Sequence, residues 1–180
     1  MKQQISRFLF KLKTKKQKKR KKKFMNYSEI RNVLLLFESN SDEKNTHIDS
    51  IVKRLQNDGK KVTLCGFLDK KHSTQLVLPD FYIIDRSKTR FFGDPRNEFI
   101  APLVNSKFDV VLDLTLSEIM PLQYVLANSK APFKVGRKTP NGNLLDFMID
   151  LKKENSASTA DVNYLFDQII FYLKSIESHN

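Results

Sequence analysis

The residues of this sequence that could do chemistry are mostly basic, and they lie in one run. Positions 13–23 read KTKKQKKRKKK, with nine Lys or Arg among eleven residues. Residues 1–24 hold twelve basic residues and no acidic one, which leaves 20 of each sign for the rest of the chain. The formal net charge of +12 therefore belongs to this segment, and it predicts an anionic partner for an N-terminal arm.

The composition of the arm favours RNA over a specific DNA sequence. Phosphate groups attract any cation without base choice, whereas bidentate contacts to base edges favour Arg, and the arm holds ten Lys and two Arg. We therefore predict that the arm binds RNA or ribosomes. The predicted nucleic-acid-binding residues are Lys13, Lys15, Lys16, Lys18, Lys19, Arg20, Lys21, Lys22 and Lys23.

Two other interpretations of the arm stay open. In the first, residues 4–23 anchor the chain to a membrane surface: apolar residues of a short amphipathic helix insert while the lysines meet anionic lipid. In the second, the arm is a solubility tail that binds polyanions without selectivity. The inserting residues would be Ile5, Phe8, Leu9, Phe10 and Leu12. No stretch has the 18 or so apolar residues of a transmembrane helix and the start does not resemble a signal peptide, so we expect a cytoplasmic protein.

Paired carboxylates do not predict a catalytic site. Asp146 and Asp150 share a strand face, but four residues of strand separate them by about 13 Å. The two carboxylates of a glycosidase lie about 5–9.5 Å apart. Asp109 and Asp113 have the same spacing. These carboxylates are expected to be solvated or bonded to the backbone.

The remaining reactive residues predict no cofactor and no metal. The three histidines, His47, His72 and His179, lack the spacing of metal ligands, and five glycines form no phosphate-binding loop. The single Cys65 excludes an internal disulfide and lies in an apolar stretch, so we expect a buried thiol. The sequence therefore favours a non-enzymatic protein.

From residue 25 onward, predicted strands alternate with predicted helices. The Asn141–Gly142 pair is a hairpin signal, so the last strand is expected to run antiparallel. Ser117 is the expected cap of the helix that follows the fourth strand. The strands are predicted at 32–39, 61–69, 81–85, 108–115, 133–138 and 145–151, and the helices at 46–59, 97–104, 117–129 and about 159–177.

This order predicts a three-layer, Rossmann-like α/β domain. It has a mostly parallel sheet, a C-terminal antiparallel strand and a final amphipathic helix, spans 25–180 and follows the basic arm of residues 1–24. Such sheets bind ligands beyond the carboxyl ends of their strands, here near 39–41, 69–71 and 115–118. The possible ligand loops contain Ser39, Asn40, Ser41, Thr115, Ser117 and Glu118.

The last seventy residues carry a resemblance. FDVVLDL, PLQYVLANSKAPFKVGR, LLDFMIDL and LFDQIIFYLKSI follow one another closely. Together they resemble a family of short bacterial proteins, typical of the Bacteroidetes, described as a domain of unknown function. The resemblance implies a fold and a lysine-rich N-terminal stretch, but no activity or site residues.

A weaker similarity links the strand, helix and strand of the same region to the N-terminal half of heptosyltransferase-like glycosyltransferases. In those enzymes much of the donor site lies in a second Rossmann-like domain, for which this chain has no room. The similarity implies an alternative function as a small nucleotide- or sugar-binding, or transferase-like, domain that uses the strand-end loops.

Overall fold

The computed structural model describes residues 2–14, 20–39, 46–70, 79–139, 144–151 and 161–176. A six-stranded sheet lies between helices on both of its faces. The strands are β1 (Asn32–Ser39), β2 (Lys61–Leu68), β3 (Phe81–Asp85), β4 (Val110–Asp113), β5 (Phe133–Arg137) and β6 (Phe147–Ile149). The helices are α1 (Lys2–Thr14), α2 (Thr46–Asn57), α3 (Asn97–Asn105), α4 (Met120–Asn128) and α5 (Val162–Ser175).

Continuous apolar strands explain the three layers. Alternate side chains of β1 enter different cores, because successive residues of a strand point to opposite faces. Leu35 packs in a core with α2 and α5, whereas Leu34 and Leu36 pack in a second core with α3 and α4. Both faces of the central strands are thus buried, as in other parallel sheets. The expected Rossmann-like three-layer fold is confirmed.

The strand order is β3-β2-β1-β4-β5-β6, and all the pairs are parallel. This is the order of the doubly wound Rossmann fold, in which the chain reverses its direction of winding between the first and fourth strands. The carboxyl ends of β1 and β4 meet there. The predicted stop of α2 is also confirmed, because Gly59 has φ +74° and Lys60 N donates to Leu55 O at 2.9 Å.

The expected antiparallel last strand is wrong. Val135 pairs with Phe147 and Arg137 with Ile149, so β6 runs parallel to β5. A hairpin would have required the opposite direction. Instead the chain returns to the amino end of β5, where Asp146 N donates to Lys134 O at 2.8 Å and starts the parallel register. The hairpin residues 141–143 lie outside the described part of the chain.

The predicted cap of α4 is also wrong. The helix begins at Met120, and its N-cap residue, Ile119, makes no side-chain cap bond. Pro121, near the start of α4, lacks the N–H that an interior helical position would use, so it fits the first turn. Residues 115–119 therefore form a loop at the carboxyl end of β4. Within the described residues, no helix combines the length and the apolar character that a membrane crossing requires.

Candidate anion-binding site at the amino edge of the sheet

Backbone and side-chain contacts hold residues 20–23 against the amino ends of β5 and β6. Lys23 N donates to Pro132 O at 3.1 Å, and Arg20 Nη1 donates to the same oxygen at 2.7 Å. Arg20 also forms an ion pair with Asp146, and both side chains are nearly buried. The C-terminal end of the lysine run is therefore fixed beside the sheet.

Asp146 is the anionic centre of this anchor. Its carboxylate accepts a hydrogen bond from Lys134 N at 3.0 Å and lies 3.1 Å from Lys22 Nζ, in addition to its pair with Arg20. One carboxylate thus joins the basic segment to two neighbouring strands. The bonds to charged groups are the stronger class of hydrogen bond.

A groove of about 780 Å³ opens beside this anchor. Four of its lining side chains are cationic and none is acidic. The lining residues are Arg20, Lys21, Lys23, Val104, Asn105, Asn128, Ser129, Lys130 and Pro132. Lys130 belongs to the turn before β5, so the folded domain adds a cation to those of the arm. We call this surface the basic groove.

The cations of the basic groove differ in what they contact. Arg20 is committed to Asp146 and Pro132, and Lys23 Nζ lies 3.6 Å from Glu29. Lys21 and Lys130 have neither a hydrogen-bond nor an ion-pair partner among the described residues. These two amines are therefore available to an anion.

Two helix ends also face the basic groove, because α3 ends at Asn105 and α4 at Asn128. The carbonyl groups at a helix C-terminus carry partial negative charge, which cations complement. Lys134 serves α4 in this way: its buried Nζ donates to Leu126 O and Ala127 O. Burial, and next the charge of Arg20, lower the pKa of Lys134 to about 7.

The described part of the arm that precedes the lysine run packs on the domain as α1. Phe10 meets the ring of Tyr124 edge to face, with 4.9 Å between centroids, and Arg7 Nη2 lies 2.8 Å from Glu118 Oε2. The opposite side of α1 is exposed: Ile5, Phe8 and Leu12 keep 41%, 61% and 52% of their accessible surface. We call these three side chains the outer stripe.

The predicted ligand loops lie at the carboxyl edge of the sheet, away from the basic groove. Ser117 Oγ donates to Glu38 Oε2 at 3.5 Å across the ends of β4 and β1. Glu118 pairs with Arg7, while Thr115 is buried and donates to Asp113 through N and Oγ1. Ser39 ends β1. Asn40 and Ser41 lie outside the described residues.

Of the nine predicted nucleic-acid-binding residues, Arg20, Lys21, Lys22 and Lys23 have described side chains at the amino edge. Lys13 is the last lysine of α1, and its side chain is outside the description, as are Lys15, Lys16, Lys18 and Lys19. The sequence did not indicate Lys130 or Asp146 as members of this site. The sequence around each of them contains no binding motif, because their places in this site depend on the return of the chain to the amino end of β5.

The other reactive residues have structural partners. Asp109 accepts from Arg31 N at 2.9 Å and Asn32 N at 2.7 Å, so the expected backbone bonding is confirmed. Cys65 is buried as predicted, and burial raises the pKa of its thiol to about 12. In the described ranges, no three His, Cys, Asp or Glu side chains cluster as a metal site would require.

A family model described as "Family of unknown function (DUF6913)" matches residues 2–176. This match spans nearly the whole chain, including α1 and the lysine run. No curated protein and no solved structure gives a significant match.

Proposed function

Because the chain belongs to DUF6913, a family of unknown function, we propose a role from its own charges: it binds RNA, free or in ribosomes, through residues 13–23 and the basic groove. The proposal includes a cytoplasmic location and the bacterial origin that the sequence resemblance implies. It assigns no chemistry to the protein, since binding to phosphates needs no catalytic group.

The observation that carries the proposal is the meeting of two sources of charge in one groove. Lys21 and Lys23 come from the arm, whereas Lys130 comes from the domain. An arm that only kept the protein in solution would gain nothing from such an anchor. An RNA-binding arm would gain from the anchor, because a fixed groove orients the phosphate backbone that the lysine run attracts.

A triple substitution tests this role while leaving the anchor of Arg20 and Asp146 intact. We expect K21Q/K23Q/K130Q to bind single-stranded RNA more weakly than the wild-type chain. The negative slope of log K against log salt should shrink in magnitude by up to about 2, since each of the three lysines contributes about 0.7 if it contacts a phosphate. Fluorescence anisotropy with a labelled oligonucleotide at several salt concentrations measures both quantities.

The matched control is K53Q/K61Q/K138Q, which removes three exposed lysines of the domain outside the groove. Its salt slope should stay near that of the wild type. Equal slopes for the two triple variants would contradict the proposal, because the groove would then contribute no more than general charge. Deleting residues 1–24 is a poorer test, since it also removes the contact of Phe10 with Tyr124.

A second candidate function, binding to an anionic membrane surface, is favoured by the outer stripe. Ile5, Phe8 and Leu12 point away from the domain, and α1 leads directly into the lysine run. Apolar residues on one side of a basic helix are typical of interfacial binding. Phe10 drops out of the inserting set, because its ring packs on Tyr124.

The two candidates differ in which side chains they need. For the membrane, F8S should reduce cosedimentation with vesicles that contain phosphatidylserine. F171S is the control, since Phe171 on α5 is equally exposed at 61%. If neither change affects vesicle binding while K21Q/K23Q/K130Q weakens RNA binding, the membrane candidate is rejected and the RNA proposal stands.

A further inference from the structure

Arg137, at the carboxyl end of β5, has an unusual environment for an arginine of this protein. Its Nε atom is buried and has no hydrogen-bond partner among the described residues. Arg54, Arg86 and Arg90 each form an ion pair. A buried donor without an acceptor is costly unless another molecule supplies one.

A buried carboxylate ends the neighbouring strand. Asp113 accepts from Thr115 Oγ1 at 2.7 Å and from Gln123 Nε2 at 3.4 Å, yet it forms no ion pair in the described part of the chain. Burial raises its pKa, while hydrogen bonds from Thr115 and Gln123 and the charge of Arg137 oppose the shift.

The backbone comes close together at this point. Gly136 pairs with Asp113, and a Cβ on Gly136 would lie 2.8 Å from Asp113 O. Arg137 follows Val135 on the side of the sheet that faces α5, whereas Asp113 lies on the side of Gln123 in α4. The Arg137 and Asp113 side chains therefore lie on opposite faces of the sheet, at the carboxyl ends of two neighbouring strands.

Sheets of this topology bind their ligands outside the carboxyl ends of the strands at the switch point, which here lies between β1 and β4, so that β4 borders it on the side of β5. A guanidinium is the side chain best suited to a phosphate group, because its planar fork donates two parallel hydrogen bonds. We propose that the carboxyl edge of β4 and β5 binds the phosphate group of a small phosphate monoester through Arg137. This site is separate from the basic groove and does not depend on RNA binding.

Adenosine 5′-monophosphate is the probe, with adenosine as the matched ligand without phosphate. In the full chain labelled with ¹⁵N, one arginine Nε–Hε signal, absent in R137K, should shift downfield when the nucleotide is added. Calorimetry should give an affinity at least tenfold lower in R137Q than in the wild type, and about tenfold lower in R137K. Adenosine should move the signal little.

Two control variants separate this site from other basic surfaces. K138Q, which removes the adjacent exposed lysine, should bind the nucleotide within twofold of the wild type. K21Q/K23Q/K130Q should do the same, so failure of the RNA proposal would leave this test intact. Two results would overturn the inference: no nucleotide binding by the wild type, or equal binding by a folded R137Q protein. Circular dichroism of each variant establishes folding.

Discussion

At the amino edge of the sheet, the nearly buried carboxylate of Asp146 has two cations and a backbone N–H as partners, and its Oδ1, which accepts no hydrogen bond, lies 3.1 Å from Lys22 Nζ. At the carboxyl edge, the buried carboxylate of Asp113 has a hydroxyl, a backbone N–H and an amide, and the guanidinium of Arg137 lacks an acceptor for Nε. The amino edge thus brings one acidic and two basic residues to the starts of β5 and β6, and the carboxyl edge brings one acidic and one basic residue to the ends of β4 and β5. The charges at the amino edge pair with one another, whereas those at the carboxyl edge do not.

The difference indicates what each pair of charges does. At the amino edge the charges neutralise one another and join the N-terminal segment to the sheet, which is a structural role. At the carboxyl edge the charges of Asp113 and Arg137 do not join chain segments, and Arg137 Nε donates no hydrogen bond within the described residues. Charges that hold a fold together should affect stability when changed, whereas charges kept for a ligand should affect binding.

The largest expected effect is on the amino edge. D146A should lower the free energy of unfolding by about 4 kcal/mol, because it leaves the nearly buried Arg20 and the Lys134 N–H without their anionic partner. Denaturant titration of the full chain measures the loss. D146N, which retains an acceptor for Lys134 N but not the charge, should lie between D146A and the wild type.

D150A is the control for that change. Asp150 pairs with Lys138 at 2.7 Å, but both side chains are more than half exposed. Exposed ion pairs contribute about 0–1 kcal/mol. If D146A cost no more than D150A, the amino-edge charges would not be structural, and the comparison of the two edges would fail.

The next largest effect concerns the close approach at the carboxyl edge. G136A should cost about 3 kcal/mol, because the added Cβ would lie within 3.0 Å of both O and Cβ of Asp113, which cannot move without shifting β4. G59A is the matched change. It meets no atom within 4 Å and should cost about 1 kcal/mol from its positive φ alone.

Thermal and denaturant unfolding compare the two variants. If G136A were destabilised no more than G59A, the carboxyl ends of β4 and β5 could shift at little cost to accommodate the added Cβ. Arg137 and Asp113 would then not be held in fixed positions, which would weaken the case for a preformed site there.

Most of the fold followed from local pattern, and the sites did not. Continuous apolar runs such as residues 32–39 predict strands buried on both faces, because a strand with one solvent-exposed face would have alternating apolar and polar residues. The Asn141–Gly142 pair favours a hairpin, yet β6 pairs parallel to β5. Turn residues report local backbone preference, whereas the direction of β6 is that of its pairing with β5, beside which Asp146 contacts Arg20, more than a hundred residues away.

The candidate sites combine residues that are distant in sequence for the same reason. The sequence singled out Lys21 and Lys23 from charge density, but only the folded chain brings Lys130 beside them. Likewise, an arginine that ends one strand has no local pattern that predicts an unsatisfied Nε. Composition therefore predicts an anionic partner, and only the folded chain shows which cations lie together.

The smallest effect we expect is a change of the free energy of unfolding with pH. Lys134 lies at the amino edge with its pKa lowered to about 7, whereas an unfolded lysine keeps its proton to near 10.5. Between these values the unfolded state binds more protons, so the free energy of unfolding should rise with pH. The expected rise is on the order of 1 kcal/mol per pH unit, or about 2 kcal/mol from pH 7 to 9.

The comparison with K134M isolates this contribution. Methionine has no titratable amine, so the rise due to Lys134 should vanish even though K134M also loses the bonds to Leu126 O and Ala127 O at every pH. K138M, which changes an exposed lysine, should retain the rise. The Cys65 thiol, whose ordinary pKa of 9.0 rises to about 12 on folding, ionises near pH 9 in the unfolded state only and opposes the rise, but it does so equally in the wild type, K134M and K138M. A pH profile for K134M that parallels the wild type would show that the amine is charged when folded, and that the amino edge solvates its charges as freely as the protein surface does.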